Sequence, residues 1–250
     1  MAPAKKSSSK SKGKKAKASV KKSDKNLEVP EPGKKAHSSD GDAPSGESAK
    51  GLRVRMYRVG FGDFFLLSVP ARGGGSEHIL IDCGVHSQDL GSIRDAVGQM
   101  AEECGSRLAL IIMTHRHADH ISGFASCSDI FSKFTVDRVW MPWFEDPKNS
   151  TAMAFQASLT AMASQLSMRL AARADDSSLM LKDMVDNITG GFAAAGGVSK
   201  NQKALDVLHG GFKNQADHDY YKAGDQPVLP KVLSDAGLSA TILGPRSTPN

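Results

Sequence analysis

Residues 52–59, LRVRMYRV, alternate imperfectly between apolar and basic positions, the period-two pattern of a strand. After the turn GFGD (60–63), FFLLSV (64–69) predicts a second strand. After the loop PARGGGSE, HILIDCG (78–84) predicts a third that ends in Asp82 and a glycine. The period then lengthens: between residues 90 and 104, Ile93, Val97, Met100 and Ala101 share one helical face. RLALIIMT (107–114) is an almost unbroken apolar run, which suits a strand buried on both faces. VDRVWMPW (136–143) reads as another such strand.

The second half has a different texture. Residues 151–174 are rich in Ala, Leu and Met and predict a long helix, with Met153, Leu159, Met162, Leu166 and Leu170 as its buried stripe. Further helices are expected over 179–188 and over 201–212, the latter closed by Gly210. The Gly-rich stretch between them lacks the spacing of a phosphate-binding loop and reads as a flexible connection. LSATILGP (238–245) is expected to be a last strand. Strands and helices in this order predict an α/β domain whose sheet is partly antiparallel at its start, with a helical insertion over about residues 150–215.

Charge divides the chain. Residues 1–50 hold 13 lysines and six acidic residues, so the net +5 conceals a tail near +7 and a body, 51–250, near −2. The tail has almost no branched apolar or aromatic residues and is expected to be disordered, because it cannot bury enough surface to offset chain entropy. Its lysines suit non-specific contact with nucleic acid phosphates, or serve only to solubilise. Cys83, Cys104 and Cys127 are too few and too scattered for a disulfide framework or a CxxC site, which points to a reducing, cytoplasmic setting. No apolar run reaches the roughly 20 residues of a membrane span, so no membrane partner is expected.

The candidate chemistry sits where the buried strand stops. IIMTHRHADHISGF (111–124) places His115, His117, Asp119 and His120 within six positions. His115 and His117 alternate, so both imidazoles face one way if the backbone is extended; Asp119 and His120 follow on the turn into the next helix. Imidazole nitrogen and carboxylate oxygen are ligands for zinc, and they suit manganese and iron as well. Four such groups can serve two adjacent ions.

Together with ILIDCG (79–84) and RVGFGDFFLL (58–67), this motif resembles the metallo-β-lactamase-fold superfamily, most closely the lactamase-like domain of bacterial DNA-uptake proteins and their stand-alone relatives. The resemblance covers roughly residues 52–143 and implies an αββα sandwich with metals at one edge. It implies that His115 and His117 bind a first ion and that Asp119 and His120 bind a second. Asp119 would also steer the attacking water or protonate the leaving group. Asp82 would brace the motif loop from behind, with Asp63 in a turn facing the same edge; the plainer reading of both is a carboxylate capping a turn.

Family members complete the site from their second half. Here the only histidines downstream of the motif are His209 and His218. Asp225 in AGDQ can be placed in a bridging role with His209 as a further ligand before it, but no histidine follows Asp225. AGDQPVLP (223–230) and TILGP (241–245) match a segment of the family without ligands, so the fold is expected to be incomplete at its C-terminus. Two function classes follow. One is a metal-dependent hydrolase acting on a phosphodiester, ester, thioester or lactam. The other is a non-catalytic lactamase-like module that binds nucleic acid or an acidic partner through its basic tail.

Overall fold

The three strands at the start of the body pair in chain order. β1 (Arg53–Met56), β2 (Phe64–Pro70) and β3 (Ser76–Cys83) form an antiparallel meander. The structure, a computed structural model, describes residues 51–86, 91–173, 175–189 and 199–246. The basic tail and most of the Gly-rich connection lie outside the described residues.

Beyond β3 the sheet becomes parallel. α1 (Ile93–Glu103) carries the chain to β4 (Arg107–Ile112), and α2 (Ala118–Ser126) and α3 (Ser128–Phe131) carry it to β5 (Thr135–Pro142). A 3₁₀ turn (Trp143–Glu145) and three helices follow: α4 (Ser150–Arg173), α5 (Asp176–Thr189) and α6 (Lys200–Gly210). β6 (Asp217–Tyr221) then pairs parallel to β5, and α7 (Lys231–Asp235) comes after it. The six strands run β1-β2-β3-β4-β5-β6 across one mixed sheet, so the described residues form an α/β fold.

Register sets what each face buries. Leu80 lies beside Ile111, and Ile111 beside Val139. With Leu66 they make a fully buried row under Val97 and Met100 of α1, Ile121 and Phe124 of α2, and Leu205 and Leu208 of α6. Each such side chain contributes about 1.5–3 kcal/mol by leaving water. The opposite face carries Val69, Ile79, Leu110 and Trp140, covered by Leu233 and by partly buried Leu238, Ala240 and Ile242. Towards β1 this cover ends, and Val54 and Met56 are exposed. Among the described residues no helix is long and apolar enough to cross a membrane.

Two expectations are corrected. Residues 238–245 are not a strand: Gly224 N–H donates to Ile242 O (3.1 Å) and Ala223 N–H to Pro245 O (2.8 Å), so this segment bonds to a turn and not to the sheet. Its alternating apolar residues pack on the sheet face instead. The stripe on α4 is also different. Met153, Met162 and Leu166 are exposed, and the helix buries Ala152, Ala163, Ser167 and Leu170. Small residues let α5 approach closely, and Ala163, Leu170 and Val185 form the hairpin's own small core. Met153, Met162 and Leu166 are left outside, and of the expected stripe Leu170 is buried. The three cysteines are free and buried.

Candidate metal centre

Three chain segments meet at the C-terminal end of β3 and β4, and glycine lets them meet. A Cβ on Gly84 would lie 2.4 Å from the backbone of Asp119 and His120, and one on Gly62 would lie 2.3 Å from Gly84 O. Backbone bonds fill the space: Asp63 N–H donates to Asp119 O (2.9 Å), and Gly84 N–H donates to Asp63 O (3.0 Å). The GFGD turn, the DCG strand end and the first turn of α2 are thereby locked together.

Asp82 organises what sits above. It takes a left-handed backbone conformation (φ 51°), which a short polar side chain tolerates better than most. Its carboxylate, 2% exposed as a residue, accepts from Thr114 N–H (2.8 Å), Thr114 Oγ1 (2.6 Å) and His120 Nδ1 (2.8 Å). Thr114 Oγ1 in turn lies 3.0 Å from His115 Nδ1. Because the threonine proton points to Asp82, His115 Nδ1 is the donor in that contact. In their neutral forms His115 and His120 then carry the lone pair on Nε2, the state in which imidazole binds a cation.

The imidazoles converge. The ring centroids of His115 and His117 are 4.5 Å apart, and those of His115 and His120 are 3.8 Å apart. Asp119 Oδ2 lies 3.6 Å from His120 Nε2. Asp63 Oδ2 lies 3.4 Å from His120 Nδ1. Burial lowers the pKa of His115, helped by the neighbouring His120, and lowers that of His117, helped by His115. For His120 burial acts in the same direction, but the bond to Asp82 and the charges of Asp82, Asp119 and Asp63 outweigh it and raise the pKa.

Among the described residues, Asp63, Asp82 and His120 bring donor atoms within 4.8 Å of one another, close enough to hold a cation. Asp82 is already engaged through both oxygens, however, and His120 meets it through Nδ1. The motif imidazoles and Asp119 adjoin this group, with ring centroids 3.8 and 4.5 Å apart and Asp119 Oδ2 3.6 Å from His120 Nε2, but their donor atoms do not all close to that spacing among the described residues. The donors fit a divalent ion that takes nitrogen and oxygen together.

The loop is held from outside by residues that the sequence does not single out. Arg116 makes a two-point ion pair with Glu145, with Nε to Oε1 at 2.9 Å, and the Glu145 side chain is 1% exposed. Asn201 Nδ2 on α6 donates to Arg116 O (2.7 Å). Asn187 on α5 donates from Nδ2 to Asp119 Oδ1 (3.0 Å), and its Oδ1 accepts from Asp119 N–H (3.4 Å). One turn earlier, Asp183 meets His86 Nε2 at 2.9 Å. A cleft of about 380 Å³ opens beside His115 between the ends of β4 and β5, lined by Ile112, Trp140, Pro142 and Phe144 among others and by no charged side chain.

His209 stands apart. Its Nδ1 faces Leu205 O at 2.9 Å, and its ring stacks on His218 at 5.7 Å. His218 Nε2 faces Leu208 O, and Asp225 accepts from Lys222 N–H in a turn. Among the described residues no hydrogen bond, ion pair or ring contact joins these three to the motif.

No protein-family model matches the chain, and no curated protein matches it. Among solved structures the chain is similar to a β-lactamase domain protein from Burkholderia ambifaria, with a TM-score of 0.35 and 16% sequence identity over 74% of this chain. The chain spans 44% of the length of that protein.

Proposed function

We propose that this chain is a metal-dependent hydrolase of the metallo-β-lactamase type, in which His115, His117, Asp119 and His120 hold one or two divalent cations, zinc foremost, with manganese or iron as alternatives. The observation that carries the reading is the convergence of three imidazoles and Asp119 over a buried Asp82 that fixes the orientation of two of the rings. Lewis acidity at neutral pH, with water as the nucleophile, is what a divalent ion supplies when bound at such donors.

The chain's own residues have separable tasks in this reading. His115 and His117, kept neutral by burial, offer lone pairs at pH 7. Asp82 holds His115 through Thr114 and holds His120 directly, which fixes ring orientation. The Oδ2 of Asp119 faces the cluster, where it can accept a proton from attacking water or return one to the leaving group. The RVGFGDFFLL turn supports placing the chain in the DNA-uptake-like branch, and the uncharged cleft beside His115 supports an ester or lactam over a phosphodiester.

Two imidazoles on the first ion are one protein ligand short of the three usual at a catalytic zinc.

Elemental analysis and zinc titration of the purified chain test the reading. At least one equivalent of zinc, manganese or iron is expected, removable by chelator and lost in His115→Ala with His117→Ala. Less than one equivalent, with no effect of chelator, overturns it. Salt-sensitive DNA binding that survives both substitutions, without hydrolysis of ester, lactam or phosphodiester reporters, would instead establish the non-catalytic module.

A further inference from the structure

We infer that Asn187 is a positioning residue for Asp119, through which the α4–α5 hairpin sets the geometry of the cation site. The inference rests on the metal reading above but concerns a residue outside the motif. It begins with the start of α2. That helix has His117 at its N-cap, without a side-chain cap bond. The first N–H groups of a helix lack partners within it, and a side chain usually supplies one. Here the cap arrives from another element: Asn187 Oδ1 accepts from Asp119 N–H at 3.4 Å.

The same amide group makes a second contact. Asn187 Nδ2 donates to Asp119 Oδ1 at 3.0 Å. Two contacts to one residue, one to its backbone and one to its side chain, define the side-chain rotation. With Oδ1 engaged by Asn187, Oδ2 is the oxygen turned toward His120 Nε2. A carboxylate alone on the first turn of a helix samples several rotamers, and ordering it in advance removes that entropy from the binding step.

Asn187 is itself held. Its backbone carbonyl accepts from Asn201 Nδ2 (3.2 Å), which also donates to Arg116 O (2.7 Å). One turn earlier, Asp183 meets His86, two residues beyond Gly84. The last turn of α5 is thus joined to the strand-end loop, to the motif loop and to the first turn of α2. Ser167 Oγ donates to Asp186 Oδ1 (3.0 Å) and ties α5 back to α4.

Zinc titration of the full chain, with wild type, Asn187→Ala, Asn187→Leu and Ser167→Ala compared, tests this. Asn187→Leu keeps the shape of the side chain without donor or acceptor, and so stands if the alanine variant does not fold. A roughly 10–100-fold weaker zinc affinity is expected for the ion that Asp119 and His120 hold, in both Asn187 variants and not in Ser167→Ala. The His115–His117 ion should bind as in wild type. A folded Asn187→Leu that titrates like wild type overturns the inference and leaves the metal reading intact. If wild type binds no zinc, the metal reading fails, and hydrogen exchange in the metal-free protein still tests the clamp. The Asp119 amide should then exchange at least several-fold faster in Asn187→Leu, and an unchanged rate overturns it.

Discussion

His120 Nδ1 and the Asp82 carboxylate meet at 2.8 Å across 38 residues of sequence. That bond joins the end of β3 to the first turn of α2 beneath the imidazole cluster.

Removing the carboxylate should damage both stability and binding. Asp82→Ala leaves Thr114 N–H, Thr114 Oγ1 and His120 Nδ1 without their shared acceptor. Urea unfolding should show a loss of about 1–3 kcal/mol, because three hydrogen bonds to one buried carboxylate are removed from partners that water can partly reach. Zinc affinity should fall roughly 10–100-fold, because His115 and His120 lose their orientation. Unfolding and titration of one preparation measure both.

The Arg116–Glu145 pair predicts an asymmetry. Glu145→Ala leaves a partly buried guanidinium opposite an empty site and should destabilise by about 3–5 kcal/mol. Replacing both partners together, Arg116→Met with Glu145→Leu, should cost much less, because no charge is left unpaired. Denaturant midpoints of the three variants decide it. A double variant as unstable as the single one would contradict this account.

The metal-free protein should titrate in two directions. His120 should lose its proton above the ordinary value of 6.5, and His115 and His117 below it. A raised native pKa means that the folded state holds the proton more tightly. The stability His120 contributes is then full below 6.5 and is lost as pH rises through its raised value. The two depressed imidazoles act with the opposite sign, costing stability as pH falls below 6.5. Proton NMR of the ring resonances separates the three, and the advantage of wild type over His120→Gln should shrink as pH rises.

Glycine substitutions should split by location. Gly84→Ala forces a Cβ to within 2.4 Å of the Asp119 and His120 backbone, where neither neighbour is a movable side-chain tip. The expected loss is about 3 kcal/mol, at the upper end for an overpacked core. Gly98 lies mid-way along α1, and a Cβ there would meet nothing within 4 Å. Gly98→Ala should therefore raise stability by about 0.8–1 kcal/mol. Thermal melts of both variants check the pair.

How much of this could be read in the chain depended on whether a signal was local. β2, β3, β4 and β5 announce themselves because each is a long apolar run, and the histidine motif is compact enough to stand out. β6, DHDYY, escaped because it is a polar strand at the sheet edge. Its acidic side chains are met by Arg138, which bonds Asp219 at 2.6 Å and Asp217 at 3.2 Å. Residues 238–245 misled for the converse reason: their apolar alternation serves packing on a sheet face, and alternation does not reveal where the backbone bonds go. On α4 most of the large side chains drew the eye wrongly: of the expected stripe Leu170 is buried, and alanine and serine make the rest of the contact. Asn187, Glu145 and Asn201 carry no motif at all. Only the tertiary fold brings them to Asp119 and Arg116.

The long connection from Pro142 to Asp217 separates two strands that nonetheless lie side by side. The entropy of closing a loop grows only with the logarithm of its length. The sheet is therefore nearly indifferent to how much chain departs from β5 before β6 returns. Evolution and protein engineers alike are free to remodel the excursion through α4 and α5, lengthening it or changing its outer surface, provided the one turn that touches Asp119 comes back to the same place.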